Sequence, residues 1–228
     1  MTAPLDIRTL MSTATPDVIE AFMASLDDHE THDLLFNGWR ELWARPDQLW
    51  PDGAWLYWPI MTGRGWGKTR TGAETIKEAV HERGYRRLAL VARTAADVSK
   101  TMIDGESGIM NLYAPDDPFR PVYTPSKRAL TWTLADGTTA LATTYSDAEP
   151  AQLRGPQHEF AWVDEFSTFQ NGKLTVDNLK FGLRIGRDPR AVFTFTPKPL
   201  SFVKAIVDNP RSHVTRGTTF DNMTNLAG

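Results

Sequence analysis

An α/β domain with a mainly parallel central sheet is predicted by two observations along the 228 residues. Apolar runs of strand length recur at 55–61, Arg87–Ala92, 160–163 and 191–195, each bounded by turn residues. Stretches with helix start and stop signals fall between the first of these runs. Such alternation is the pattern of βαβ units, whose crossovers make neighbouring strands parallel.

The elements follow in order. The first fifty residues read as an amphipathic helical segment. Pro16 stands at the start of a helix over 17–26, where its missing N–H costs nothing. Leu34, Leu35, Trp39, Leu42 and Trp43 recur at three- to four-residue spacing and suggest a second apolar stripe. Arg45-Pro46-Asp47 and Pro51-Asp52-Gly53 break it. The aromatic-rich run 55–61 is a buried strand candidate. A glycine-rich loop follows at 63–67, and then a helix over 69–83 stopped by Gly84. Arg87–Ala92 is a second strand, and Thr94 caps a helix over 94–103. The proline-rich stretch 105–128 reads as loops with short strands. Runs at 130–134 and 138–143 flank Ala135-Asp136-Gly137, and Asp-Gly between β-rich runs signals a hairpin inserted in the sheet. Strands at 160–163 and 191–195, a short helix at Ser201–Val207 and a last strand over 213–219 complete the chain.

Composition removes several functions. The chain has no cysteine, so disulfides and cysteine-based zinc sites are excluded. No apolar run approaches ~18 residues, so no membrane span is expected, and the N-terminus lacks the basic-then-apolar pattern of a signal peptide. A net charge of −3 argues against tight nucleic-acid binding by this chain alone, while leaving room for a few phosphate contacts.

The strongest motif is MTGRGWGKTRTGAE, residues 61–74, entered by a strand and left by a helix. A triphosphate is a dense negative charge. Backbone N–H groups of a tight loop form a nest for it, and the following helix adds its positive end. Gly65 and Gly67 permit close approach, Lys68 reaches the terminal phosphates, and Thr69 offers a hydroxyl to Mg²⁺. These features predict a P-loop nucleotide site that takes ATP with Mg²⁺. The usual first glycine is replaced by Thr62, with Gly63 one residue later.

Such a site needs acids for the metal and the attacking water. HEFAWVDEF, residues 158–166, supplies Asp164 and Glu165 at the end of an apolar run, the end where open parallel sheets bind ligands. Asp164 is expected to hold Mg²⁺ and Glu165 to act as general base.

Together GRGWGKTRTGAE, LRGPQHEFAWVDEF and FTFTPKP resemble, in that order, the ATPase domain of tailed-phage large terminase subunits. ARPDQLWPDGAW upstream and RGTTFDNMTNLA downstream extend the resemblance over about residues 39–227. It implies an ASCE-type, RecA-like P-loop fold and a motor that pumps double-stranded DNA through a portal protein into a procapsid. It also implies a small-terminase partner and a ring of subunits, expected as a pentamer, with the isolated chain monomeric or weakly associated. The expected place of action is the host cytoplasm, transiently at the portal vertex. Carried over by motif, Gly63, Arg64, Gly65, Trp66, Gly67, Lys68, Thr69 and Arg70 form the phosphate loop, with Arg64 as its arginine. Arg45 or Gln48 would contact adenine, and Thr196 would couple hydrolysis to movement. Arg154 would be a finger offered to a neighbour's ATP, the alternative being a loop arginine paired with Asp147 or Glu149. Arg120, Lys127 and Arg128 are equally DNA contacts or solvated charges. Residues 1–50 are expected as a helical segment, 51–220 as the ATPase domain, and 221–228 as the start of a linker to a nuclease domain absent from this sequence, so no DNA cleavage is expected. A helicase-like or remodelling ATPase shares the loop and the acid pair. A non-catalytic assembly module fits less well with an intact Lys68, Thr69, Asp164 and Glu165.

Other signals are discounted. Asp27-Asp28-His29-Glu30 with His32 and Asp33 reads as a solvated helix face, and His158 precedes its strand and is expected to point away from the site. Trp39, Trp43, Trp50, Trp55 and Trp58 read as packing residues.

Overall fold

The computed structural model describes residues 13–222. The chain divides after Trp50 into two compact units. The expected linker falls outside the described residues from 223 onward.

In the first unit, α1 spans Pro16–Ser25 and α2 Asp28–Asn37. Asp27 and Glu30 form a reciprocal cap at the start of α2. The Asp27 carboxylate accepts from the Glu30 N–H at 2.7 Å and the Glu30 carboxylate from the Asp27 N–H at 3.0 Å. Trp43 is 42% exposed, so its place in the apolar spacing does not bury it; its indole N–H donates to the Leu34 carbonyl.

The second unit is a sheet of eight strands in the order β3-β4-β5-β2-β6-β7-β1-β8. The strands are β1 Tyr57–Thr62, β2 Arg87–Ala92, β3 Val122–Thr124, β4 Ala129–Thr133, β5 Thr139–Ser146, β6 Phe160–Asp164, β7 Arg190–Phe195 and β8 Thr215–Gly217. Strands β5, β2, β6, β7, β1 and β8 are mutually parallel, while β4 and β3 continue the sheet antiparallel beyond β5. The hairpin is thus built into the sheet: β5 is both its second strand and the parallel partner of β2.

Helices lie over the sheet: α3 at Lys68–His81, α4 at 95–103, α5 at Gly172–Gly182 and α6 at Ser201–Val207. Alternation along the strands sorts the core into two layers. Ala161, Val163, Phe193 and Phe195 share a cluster with Val176 and Leu179 of α5 and Val203 and Ile206 of α6. Phe166 anchors it, its ring edge-on to Phe193 and Phe202 at 5.0 Å each. Trp162, between Ala161 and Val163, faces α3, where a Cβ on Gly72 would lie 2.2 Å from its indole.

Helix α5 is the element that sequence patterns leave unassigned, and its start explains why. Asp147, buried just past β5, accepts hydrogen bonds from the N–H groups of Gln170 and Asn171 and from the hydroxyl of Thr175. The turn into the helix is thus fixed by a carboxylate more than twenty residues upstream.

Candidate active site

The sheet order decides where the chemistry can gather. Strand β1 feeds the glycine loop, and β6 ends in the acid pair. Strand β7 lies between them, so the loop and the acids face one another across the end of one intervening strand.

Thr62 is the last residue of β1, fully buried and paired with Gly217 of β8. The loop therefore begins at Gly63, which settles the offset glycine. Gly63 packs so closely on Thr219 that a Cβ would come within 2.9 Å of its backbone nitrogen. Gly65 and Gly67 take φ of 74° and 95°, the left-handed region that other residues rarely enter. Trp66 turns inward and is fully buried, packed where a Cβ on Gly217 would touch its indole nitrogen. Arg64 is exposed.

Lys68 opens α3. Its ammonium donates to the Gly63 carbonyl at 2.8 Å and lies 3.5 Å from that of Thr62. Burial pushes the lysine below its ordinary pKa, while the charges of Glu165 and Asp164 pull it back up. The lysine and the two acids thus share one electrostatic neighbourhood. Arg70 is committed elsewhere: its Nε and Nη2 both bond Glu74 Oε1, at 2.9 and 2.7 Å.

Asp164 is buried, and desolvation raises it to about 6, with the Glu165 charge adding to the rise. The Thr194 hydroxyl, the backbone N–H of Glu165 and the Lys68 charge oppose that rise. Glu165 sits at φ 48° and ψ 39°. This left-handed residue breaks the strand's alternation, so two successive acids can address one site. Its carbonyl accepts from both the N–H and the hydroxyl of Thr168, which hold the turn.

A cavity of about 340 Å³ opens beside the loop, lined by Arg64, Asp164, Glu165 and Thr196. Arg93, Asp97, Ser167 and Lys198 line it as well. Arg93 carries no sequence motif, and Lys198 lies within the FTFTPKP segment.

Thr194 was also missed. Its hydroxyl donates to Asp164 Oδ1 at 2.6 Å and accepts from the indole N–H of Trp162 at 2.8 Å. A threonine inside an otherwise apolar buried strand is the signal that could have found it.

Arg154 pairs with neither Asp147 nor Glu149. The Asp147 carboxylate is filled by its bonds to Gln170, Asn171 and Thr175, and Glu149 lies by Arg128 and Gln152. The exposed Arg154 guanidinium donates instead to Asn178 Oδ1 at 3.3 Å. Gln48 and Arg45 belong to the first unit, where the Gln48 side-chain oxygen accepts from the Arg45 N–H at 3.0 Å. His158 is buried against the Tyr145 ring.

The family described as terminase large subunit, T4likevirus-type, N-terminal, matches residues 59–226. No curated protein gives a significant match. The fold is similar to the large terminase ATPase domain of Thermus phage P74-26, with a TM-score of 0.61 and 16% identity over 87% of this chain and 88% of that one. It is also similar to the large terminase of the thermophilic bacteriophage D6E in complex with ADP, with a TM-score of 0.56 and 13% identity over 84% of this chain and 46% of that one. For the HK97 bacteriophage large terminase the TM-score is 0.53, with 16% identity over 85% of this chain and 39% of that one. At these identities the likeness is one of fold, and the chain spans less than half of the latter two.

Proposed function

The chain belongs to the terminase large-subunit family, whose N-terminal part it matches, and on that premise we propose that it hydrolyses ATP to drive double-stranded DNA into a procapsid. The observation that carries this is the meeting of Lys68, Asp164 and Glu165 beside a loop whose glycines adopt left-handed backbone. ADP bound to the similar D6E terminase supports a nucleotide as the ligand.

ATP with Mg²⁺, when bound, supplies the scissile phosphoanhydride bond and a divalent charge. The residues present suit it. A carboxylate and a hydroxyl are the hard oxygen donors that Mg²⁺ takes, and Asp164 and Thr69 offer one of each. Burial, with the Glu165 charge adding to it, holds the Asp164 pKa above the ordinary carboxylate range, a cost that a nearby cation relieves. The N–H groups of the 63–69 segment and the start of α3 hold the phosphates. Lys68 exchanges the Gly63 carbonyl for a phosphate oxygen. Glu165 orients a water and takes its proton as the water attacks. Arg64 stabilises charge from within the chain, and Arg154 does so for a neighbouring subunit. Thr196 senses the change at the cavity wall and passes it on. Portal protein, small terminase and a pentameric ring at the procapsid vertex in the host cytoplasm complete this reading.

Replacing the base while keeping its shape tests it. Glu165→Gln is expected to lower ATP turnover by roughly 10²–10⁴-fold and to leave nucleotide affinity, read by a fluorescent analogue, unchanged. Turnover that persists in this variant would remove Glu165 from the role.

A further inference from the structure

A second basic cavity lies at the pole of the sheet opposite the nucleotide loop. It measures about 380 Å³ and is lined by Lys180, Arg187 and Arg211 over Tyr57 and Trp55. Tyr57 begins β1, Arg187 and Pro189 precede β7, and Arg211 precedes β8. The loop and the acids instead follow the far ends of β1 and β6. Strand length, six residues in β1, separates the two sites by about 20 Å.

The three cations line one cavity together with a single acid, Asp188. None forms an ion pair among the described residues, on a chain whose net charge is −3. The two carboxylates nearby are already used. Asp188 is bonded by Arg190 Nε at 2.6 Å, and Asp177 is paired with Lys173 at 2.8 Å. The cations also stand on fixed backbone. The Arg211 carbonyl accepts from the Leu56 N–H at 2.8 Å, Lys180 stands on α5, and the Tyr85 hydroxyl pins the Asp188 carbonyl at 2.7 Å. Gathering like charges on rigid segments is costly unless an anion joins them.

We propose that Lys180, Arg187 and Arg211 form a phosphate-binding site, separate from the nucleotide site, that takes a phosphodiester of a DNA backbone or a free phosphate. The DNA source rests on the packaging function proposed above; the oxyanion chemistry does not. Contacts to a backbone phosphate carry no sequence information, so binding is expected to be independent of base sequence.

The test measures a short labelled duplex by fluorescence anisotropy across a salt series. It compares the chain with its triple variant Lys180→Ala, Arg187→Ala, Arg211→Ala. If the source is DNA, the slope of log affinity against log salt falls by about one for each contact removed, and affinity at ~100 mM salt falls at least tenfold. Arg211→Lys, which keeps the charge, retains most of the slope. If the source is a free anion, duplex binding does not change, but stabilisation by inorganic phosphate in a melting experiment is lost in the triple variant. A chain whose duplex slope and phosphate response both survive the triple substitution, or that binds neither ligand, overturns the site. ATP turnover is measured on the same samples and is expected to be unchanged. Loss of turnover in the unmodified chain would count against the proposed function and leave the salt slope to judge the site.

Discussion

The hydroxyl of Thr194 carries one proton, and its neighbours decide where that proton goes. The Trp162 indole can only donate, so Thr194 accepts from it and sends its own hydrogen to Asp164. The carboxylate proposed to hold the metal is therefore oriented by a fixed donor. Removing that donor while keeping shape, in Thr194→Val, is expected to raise the Mg²⁺ concentration needed for half-maximal turnover roughly tenfold to a hundredfold. Metal-free nucleotide binding is expected to be unaffected, and Thr194→Ser to restore the requirement. A magnesium titration of the three proteins decides the matter, and coincident curves would leave Thr194 with a packing role only. The sequence draws the eye to Thr196 instead, because its Pro-rich context forms a motif. The partners of Thr194 lie 30 and 32 residues upstream, beyond the reach of any local pattern.

Among the elements, α3 shows how the site depends on close packing. The first turn of this helix is the end of the nucleotide loop, and one turn later Gly72 presses on Trp162, the residue that fixes Thr194. A methyl group there meets the centre of a fully buried indole, which cannot swing aside. Gly72→Ala is expected to destabilise the fold by about 2 kcal/mol through overpacking. Trimming the ring in the double variant Gly72→Ala/Trp162→Phe is expected to recover part of the loss. Melting temperatures of the two variants measure this; equal temperatures would mean that the indole is not the obstacle. The strand, loop and helix around Lys68 were legible because each carries its own local signal: apolar run, glycines and stop residue. Helix α5 was not, because its N-cap residue Asn171 makes no side-chain capping bond and is instead held, with Gln170, by the distant Asp147. The two acids were legible as a pair. The left-handed turn at Glu165 that lets both face the site was not, since it follows from the Thr168 contacts.

At the scale of the whole molecule, stability should depend on pH through a residue outside the site. Burial holds His158 at about 4, below the ordinary 6.5 of an imidazole. The folded chain keeps it neutral, whereas the unfolded chain takes up a proton below pH ~6.5. Its contribution is therefore complete above ~6.5 and is lost as the pH falls from there through about 4. Asp164, raised to about 6, acts in the opposite sense, its contribution being lost as the pH rises, so absolute stability mixes the two. Comparison with His158→Gln isolates the imidazole. Between pH 7 and 5 the parent is expected to lose roughly 2 kcal/mol more than the variant in urea unfolding; parallel losses would exonerate His158. The sheet as a whole was legible from its apolar runs. Its strand order was not, since pairing is long-range. That order has a mechanical consequence. Strand β7 is laddered to β6 along one edge and to β1 along the other, which blocks sideways displacement. Beyond Thr194 the chain runs on through Pro197, Lys198 and Pro199 to the start of α6. Two prolines with locked φ stiffen that short segment, so a shift at the strand end is expected to reach α6 with little slack.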